Sequence, residues 1–526
     1  MSASTPLLPV NPDAAYLIVV ANRLPVELIV DDLGGAAWRR SPGGLVSALD
    51  PVMRDREALW IGWGGRFDDD PKQVPELRRR LRDVIHRSSD DDPKQVPELR
   101  RRLRGVIHRS SDEDPKQIPE LPDAIGTCQL DEILLPRQLA EDYYKGFCNS
   151  AIWPLYHNAV VTPTYHRDQF AAYCDVNETF AKRIAELAPP GATVWVHDYQ
   201  LQLVPRMLRA LRPDVRIGFF LHIPFPPIEL FSQLPWRRQI LEGLLGADLV
   251  GFQTEGAATN FLALVNRFLG LRVGGDRVEM EELATPRTTL VRAFPIGIDA
   301  DAYATLAARE DVQKRAVEIR KDLGNPRKLI LGVDRLDYTK GIDVRIGAFA
   351  ELIDERDDDD QMTVLLQVAT PSRENIDEYR KIRDDVELLV GRVNGDLGRT
   401  GYRPVHYLHQ PMDTEELVAM YVAADVMLVT PLCDGMNLVA KEYVATRLND
   451  DGALVLSEFT GAAAQLEQAW LVNPYDVDGL KRALDDALHA EPQELSRRMS
   501  TLRARVHEYD VNRWARLFMA TLEGRV

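Results

Sequence analysis

Arg335 and Lys340 stand five residues apart in Asp334-Arg-Leu-Asp-Tyr-Thr-Lys-Gly341, directly after the apolar run Leu329-Ile-Leu-Gly-Val333. A guanidinium supplies a planar two-pronged fork and an ammonium a mobile point charge, so together they can converge on one phosphate. Pairing with Asp334 or Asp337 is the competing reading. Arg23 follows the run Leu17-Ile-Val-Val20, and Arg373 ends Ala369-Thr-Pro-Ser-Arg373, in the same way. Singly, each reads equally well as a capping or surface arginine. Four cations at equivalent places in a chain of net charge -17 favour anion binding, and their number suits two phosphate-bearing ligands.

Backbone donors and neutral or acidic groups complete the set. Ser41-Pro-Gly-Gly-Leu45 precedes a helix-like stretch, where Gly43 and Gly44 would let a phosphate or sugar approach unpaired N–H groups; a plain turn is the simpler reading. Asp434-Gly-Met-Asn-Leu-Val-Ala-Lys-Glu442 leads from strand to helix, so Leu438, Val439 and Ala440 would offer N–H groups to a diphosphate. Glu442 would accept from ribose hydroxyls, or serve only as a first-turn acid. Asp198 and Asp434 can accept from sugar hydroxyls or cap helices. His222 precedes Ile223-Pro-Phe-Pro-Pro227, where a single histidine is more often structural. The sequence has no nucleophile elbow, Walker A loop or metal-ligand cluster, which points to transfer chemistry run by positioned cations.

These groups need a scaffold. Short apolar runs at Leu17-Val20, Thr193-Val196, Ile217-Leu221, Leu249-Phe252, Leu329-Val333, Thr363-Leu366 and Val426-Val429 read as strands covered on both faces, as in parallel sheets. Amphipathic stretches at 201–211, 341–353 and 414–424 read as helices between them. Strand–helix alternation over 526 residues predicts α/β architecture with two sheets. The break is expected after Phe294-Pro-Ile-Gly-Ile298, read as a strand giving way to the helical stretch 301–322. The expected organisation is an N-terminal domain 1–298, a second domain 299–500, and a terminal helix in 501–526 free to pack back on the first domain. A run beginning at Asp68 recurs at Asp90, 22 residues on, and in part at Asp112, so 66–122 is expected to be a surface insertion. In open α/β sheets ligands bind beyond the carboxyl ends of the strands, where all the residues above fall.

Composition narrows the class further. Apolar residues at 45% and charged residues at 28% describe a soluble globular chain with real cores. The acidic balance argues against nucleic-acid and anionic-membrane partners. No apolar run approaches the length of a membrane span, and the start lacks signal-peptide character. Four cysteines without metal spacing make a disulfide scaffold or zinc site unexpected, so the expected location is the cytoplasm.

Longer segments carry a resemblance. Val-Val-Ala-Asn-Arg23, Ser-Pro-Gly-Gly-Leu45, Leu-Trp-Ile-Gly-Trp63, Tyr143-Tyr144 with Trp153-Pro154, Val-His-Asp-Tyr199, Phe-Phe-Leu-His-Ile-Pro-Phe-Pro226, Gly-Phe-Gln-Thr-Glu255, Asp-Arg-Leu-Asp-Tyr-Thr-Lys-Gly341 and Asp-Gly-Met-Asn-Leu-Val-Ala-Lys-Glu-Tyr443 occur in one order. Together they resemble the trehalose-6-phosphate synthases, retaining glycosyltransferases of the GT-B fold, in which two Rossmann-like domains with parallel sheets face each other across a cleft. The resemblance implies transfer of glucose from a nucleoside-diphosphate glucose to glucose 6-phosphate, giving α,α-trehalose 6-phosphate. UDP-glucose is the usual donor, with ADP- or GDP-glucose as alternatives.

By that resemblance, Arg23, Tyr144 and Arg373 hold the acceptor phosphate, Asp198 its hydroxyls, and Trp153 walls the pocket. Gly43, Gly44, His222, Arg335, Lys340, Asp434 and the stretch Leu438, Val439, Ala440, Lys441 and Glu442 hold the donor. Met412, in Gln410-Pro-Met-Asp413, falls where a backbone contact to the base is expected, although the family often has Phe there. Arg335, Lys340, Asp198 and His222 are the catalytic set. Arg335 and Lys340 stabilise the departing diphosphate, so no metal or other cofactor is expected. The family also implies a homo-oligomer, a tetramer or dimer. Rival readings are a GT-B transferase with another sugar-phosphate acceptor and a non-catalytic sugar-phosphate sensor. A synthase–phosphatase is disfavoured because the chain ends soon after the match and has no Asp-x-Asp-x-Thr motif.

Overall fold

The computed structural model describes residues 16–30, 36–40, 49, 53, 58–67, 124–125, 128–280, 286–355, 363–374 and 376–525. Gly43, Gly44 and the 22-residue repeats lie outside them; of the expected insertion 66–122 only Arg66 and Phe67 are described, and both belong to the strand Ala58–Phe67.

Among the described residues, two sheets carry the chain. The first has ten strands. Its parallel core runs Arg287–Ala293, Leu249–Phe252, Arg216–Phe220, Thr193–His197, Leu17–Arg23, Ala58–Phe67 and Cys128–Leu135 in spatial order. Short antiparallel strands finish both edges: Arg272–Gly274 and Arg277–Met280 at one, Ala124–Ile125 at the other. The second sheet has six parallel strands in the order Val405–Leu408, Thr363–Thr370, Lys328–Arg335, Val426–Val429, Ala453–Ser457 and Trp470–Val472. A separate two-stranded ribbon pairs Val26–Val30 with Ala36–Arg40. This is the two-sheet Rossmann-like arrangement expected of a GT-B fold.

Burial explains why these segments are strands. Leu17, Ile18, Val19 and Val20 are completely buried, as are Val194, Trp195 and Val196. A strand covered by helices on both faces has no polar side to alternate with, so its apolar run is continuous. Cys128–Leu135 lies next to the sheet edge and keeps Gln129, Asp131 and Glu132 partly open, so it carries no comparable run.

One expectation is corrected. Residues 294–298 form no strand; the strand ends at Ala293 and the chain continues as an extended link. Pro295 has no N–H for a ladder, which stops the strand there. The link is packed tightly: a Cβ on Gly297 would lie 2.1 Å from the Tyr509 carbonyl oxygen. Val511 N–H donates to the Ile298 carbonyl at 3.0 Å. The two chain crossings between the sheets therefore lie side by side.

After the second crossing, Asp510 caps the helix Val511–Leu522 by accepting from Arg513 N–H at 2.6 Å. This helix returns to the first sheet. Phe518 stacks on Trp195 with ring centroids 4.5 Å apart, and Trp514 meets Phe220 edge-on at 5.1 Å. Full burial of a phenylalanine such as Phe518 contributes about 1.5–3 kcal/mol, so the terminal helix is an integral layer of the first sheet.

Candidate active site

Each sheet changes direction at its first strand. In the first sheet the chain leaves Leu17–Arg23 toward Ala58–Phe67 on one side and later returns to Thr193–His197 on the other. In the second, Lys328–Arg335 is flanked by Thr363–Thr370 and Val426–Val429. Loops diverge beyond the carboxyl ends of such strands and leave a crevice. Arg23 and Asp198 stand at the first switch point. Arg335, Lys340 and Asp434 stand at the second.

Residues from both sheets enclose one cavity of about 460 Å³, lined by Arg23, Trp63, Tyr144, Asn149, Arg335 and Arg373 among others. The Arg23 guanidinium lies over the Trp63 ring at 4.3 Å and faces Tyr144 at 5.9 Å. The Arg335 guanidinium lies over Trp153 at 5.4 Å. Neither arginine has a hydrogen bond or ion pair from its guanidinium among the described residues. Arg373, by contrast, is anchored. It donates to the Tyr199 hydroxyl at 3.0 Å and to the Tyr379 hydroxyl, and lies over Trp153 at 4.0 Å. Asp337 lies 3.8 Å away, and Tyr379 donates to it at 3.0 Å. Burial alone would raise the Asp337 carboxyl, but Arg373, Arg335 and Lys340 outweigh it and hold it down to about 2. One buried carboxylate thus faces three cations, and the cavity keeps an excess of positive charge.

The second cluster adjoins it. Lys340 Nζ donates to Asp434 Oδ2 at 2.6 Å, and Asn437 Nδ2 donates to the same oxygen at 3.1 Å. Lys340 therefore pairs with neither Asp334 nor Asp337. Asp334 is taken by the fully buried Arg345 at 2.6 Å, which also donates to the Lys340 carbonyl at 2.9 Å. Asp434 is no helix cap either. Asn437 caps Leu438–Thr446, accepting from Ala440 N–H at 3.0 Å. Gly435 brings this loop against the opposite sheet, since a Cβ there would lie 2.3 Å from the His222 carbonyl oxygen.

Asp198 has a left-handed backbone (φ 75°) and makes no side-chain cap to the short helix that follows. Its carboxylate accepts from His222 N–H at 3.3 Å. Burial raises its pKa to about 6, opposed by backbone donors and by Arg373 and Arg335. His222 is not a solitary histidine: its Nε2 lies 3.1 Å from Nδ1 of His197. Burial pushes His222 down to about 3 and His197 well below the ordinary range.

A family model described as glycosyltransferase family 20 matches residues 15–524. The chain belongs to that family. A trehalose-6-phosphate synthase of Mycolicibacterium paratuberculosis is 50% identical over 514 residues, covering 96% of this chain and 94% of the relative. A crystal structure of a UDP-forming α,α-trehalose-phosphate synthase from Burkholderia xenovorans in complex with glucose 6-phosphate is 32% identical, with a TM-score of 0.79 over 96% of this chain and 99% of that one. A structure from E. coli bound with UDP-2-fluoro glucose is 30% identical, with a TM-score of 0.79 over 97% and 99% of the two chains.

Several side chains in this family-20 chain depart from simple expectation. Glu442 lies beyond the first turn of its helix and accepts from the Tyr421 hydroxyl at 2.9 Å. Met412 is partly buried against the core. Trp153 is buried, and its indole N–H has no partner among the described residues. Lys441 turns away from the cleft: its Nζ donates to the Ile296 carbonyl and to Gln465 Oε1, both at 2.6 Å. Its backbone N–H is the first to bond within the helix and Ala440 N–H is taken by Asn437, so at this N-terminus the open donors are the N–H groups of Leu438 and Val439. Asp337, Tyr199, Tyr379, Trp63 and Asn149 belong to the site although sequence reasoning assigned them no role. Asp337, Tyr199 and Trp63 lie inside motifs already singled out, which was the available signal.

Lys441 gives a measurable consequence. Burial beside two neutral oxygens lowers its pKa to about 7, whereas an unfolded lysine titrates near pH ~10.4. Between those values the unfolded chain binds the extra proton, so native stability from this site rises with pH. Lys441→Met removes that slope. In urea unfolding, wild-type stability minus variant stability should grow from pH 7 to pH 9; a constant difference would exclude the titration.

Proposed function

We propose that this chain transfers glucose from a nucleoside-diphosphate glucose, UDP-glucose first among them, to glucose 6-phosphate with retention, producing α,α-trehalose 6-phosphate. The observation that carries this reading is the cavity that brings Arg23, Arg335 and Arg373 from facing sheets around one volume. Two of the three guanidiniums have no carboxylate partner there, so the space favours a phosphorylated occupant. The glucose 6-phosphate named in the Burkholderia complex and the UDP-2-fluoro glucose named in the E. coli structure supply the two ligands. We read residues 1–298 as the acceptor side and 299–500 as the nucleotide side.

In this reading Arg23, Tyr144 and Arg373 hold the acceptor phosphate against the Trp153 wall, and Asp198 accepts from a sugar hydroxyl. The first N–H groups of Leu438–Thr446 meet the diphosphate, and Glu442 meets the ribose. His222 contacts the transferred hexose, and Met412 lies by the base; Gly43 and Gly44 rest on the resemblance alone. The donor's anomeric C–O bond breaks with its electron pair leaving on the diphosphate, where Arg335 and Lys340 stabilise the charge. The acceptor's anomeric hydroxyl bonds to the same carbon on the same face, and its proton passes to the departing phosphate oxygen. Closure of the sheets excludes water from the reactive donor.

Incubating the purified chain with glucose 6-phosphate and each of UDP-, ADP- and GDP-glucose tests this directly. An α,α-linked disaccharide phosphate, identified by NMR coupling at both anomeric carbons, is the expected product. Absence of product with all three donors, or a β linkage, would overturn the proposal.

Asp198 adds a pH signature. Above about pH 6 its carboxylate is ionised and accepts more strongly; below, it is protonated and resembles Asn. The acceptor's own phosphate titrates in the same range, so the comparison is made with Asp198→Asn, which shares that term. The ratio of variant to wild-type KM for glucose 6-phosphate should be about tenfold at pH 7.5, the worth of one charged hydrogen bond, and fall toward one at pH 5. A ratio that does not move with pH would remove Asp198 from acceptor binding.

A further inference from the structure

His197 lies outside the roles assigned above, yet it makes the side-chain hydrogen bond to His222. Its side chain is fully buried, and both imidazoles are held neutral at pH 7 by burial. One proton therefore lies between His197 Nδ1 and His222 Nε2. Either histidine could own it, and the surroundings decide which.

His197 Nε2 has no hydrogen-bond partner among the described residues, and neither does the indole N–H of Trp195 or of Trp514. Trp195 has its ring centroid 4.7 Å from that of His197 and 5.1 Å from that of Trp514. An indole nitrogen can only donate. In a buried region already holding two orphan donors, a third unpaired N–H is the costlier choice, and a bare ring nitrogen leaves no further proton unsatisfied. His197 is therefore bare on Nε2 and protonated on Nδ1, from which it donates to His222 Nε2. That leaves the His222 proton on Nδ1. His222 Nδ1 makes no hydrogen bond among the described residues and is not one of the buried orphans, while its backbone abuts the Gly435 loop of the nucleotide side.

We propose that His197 is a positioning residue that locks His222 in its Nδ1–H tautomer, so that His222 offers a fixed donor to an oxygen of the transferred sugar. The part played by the sugar rests on the function proposed above; the tautomer does not. The terminal helix seals the arrangement, with the Trp514 ring 6.2 Å from that of His222.

The test uses the full chain labelled with 15N-histidine, its His222 signals identified by their loss in His222→Gln. Long-range proton–nitrogen correlation of the free protein should report His222 protonated on Nδ1 and bare on Nε2. His197→Asn keeps an N–H where Nδ1 stands and should preserve that tautomer. His197→Leu should let His222 redistribute toward Nε2–H. In turnover, His197→Leu should lose about tenfold in kcat, the worth of one hydrogen bond, with His197→Asn staying close to wild type. KM for glucose 6-phosphate should be unchanged in both. A wild-type His222 protonated on Nε2, or equal losses in the two variants, would overturn the proposal. An inactive wild-type protein with the Nδ1–H tautomer would count against the proposed function while upholding the lock.

Discussion

Arg335→Ala is expected to lower kcat by about 10²–10³-fold, the scale on which single donors to a developing oxyanion act. Binding of donor and acceptor should weaken far less, because the charge that Arg335 meets develops as the diphosphate departs. The variant should also fold normally. The guanidinium is exposed and has no ion pair among the described residues, so its removal strands no buried charge, and exposed changes of this kind stay within about 0.5 kcal/mol. Lys340→Ala should lose turnover similarly but differ in stability. Asp434 would lose its 2.6 Å partner in a buried setting, and breaking such a pair costs about 3–5 kcal/mol. Steady-state kinetics and urea unfolding on the two variants read these effects separately. Near-normal turnover in both would remove the leaving-group role.

Arg373→Ala should produce the largest combined effect. Its guanidinium is held by Tyr199, Tyr379 and Asp337 and lies over Trp153, so it meets a phosphate already oriented. Two charge-assisted hydrogen bonds, each worth about 1.5–3 kcal/mol, imply a fall in kcat/KM for glucose 6-phosphate of about 10³-fold. With unphosphorylated glucose as acceptor, wild type and variant should be equally poor, because the lost contacts are to phosphate. A variant that discriminates between the two acceptors as well as wild type does would place the phosphate elsewhere. The truncation also leaves Asp337, completely buried, with one fewer cation. Protonating Asp337 is then easier: its folded pKa moves up from about 2 toward its unfolded value of about 3.9. The variant therefore starts less stable at neutral pH, and wild-type stability minus variant stability should shrink as pH falls below about 4.

Much of the scaffold was open to reading along the chain. The strands around Val19, Val194, Ile330 and Val426 announce themselves because a strand covered on both faces must be apolar throughout. Cys128–Leu135 did not, because its place beside the sheet edge leaves polar side chains partly open. The link 294–298 was misread as a strand for a related reason. Its apolar residues serve the packing between crossings, and burial in a link looks the same in sequence as burial in a strand.

The types and spacing of residues along the chain were sufficient to identify two parallel sheets, the cationic strand ends and the family motifs, since each depends on neighbours within a few positions. The partner of each charge was beyond that reach. Lys340 had three carboxylates to choose from and took Asp434, 94 residues away; Lys441 crossed 145 residues to hold the Ile296 carbonyl and so left the cleft. Asp198 looked like a helix cap until its backbone turned left-handed and carried the carboxylate toward His222. Desolvation and pairing are set by what the folded chain brings within a few ångströms, and those distances come into being only when the two sheets close on one another.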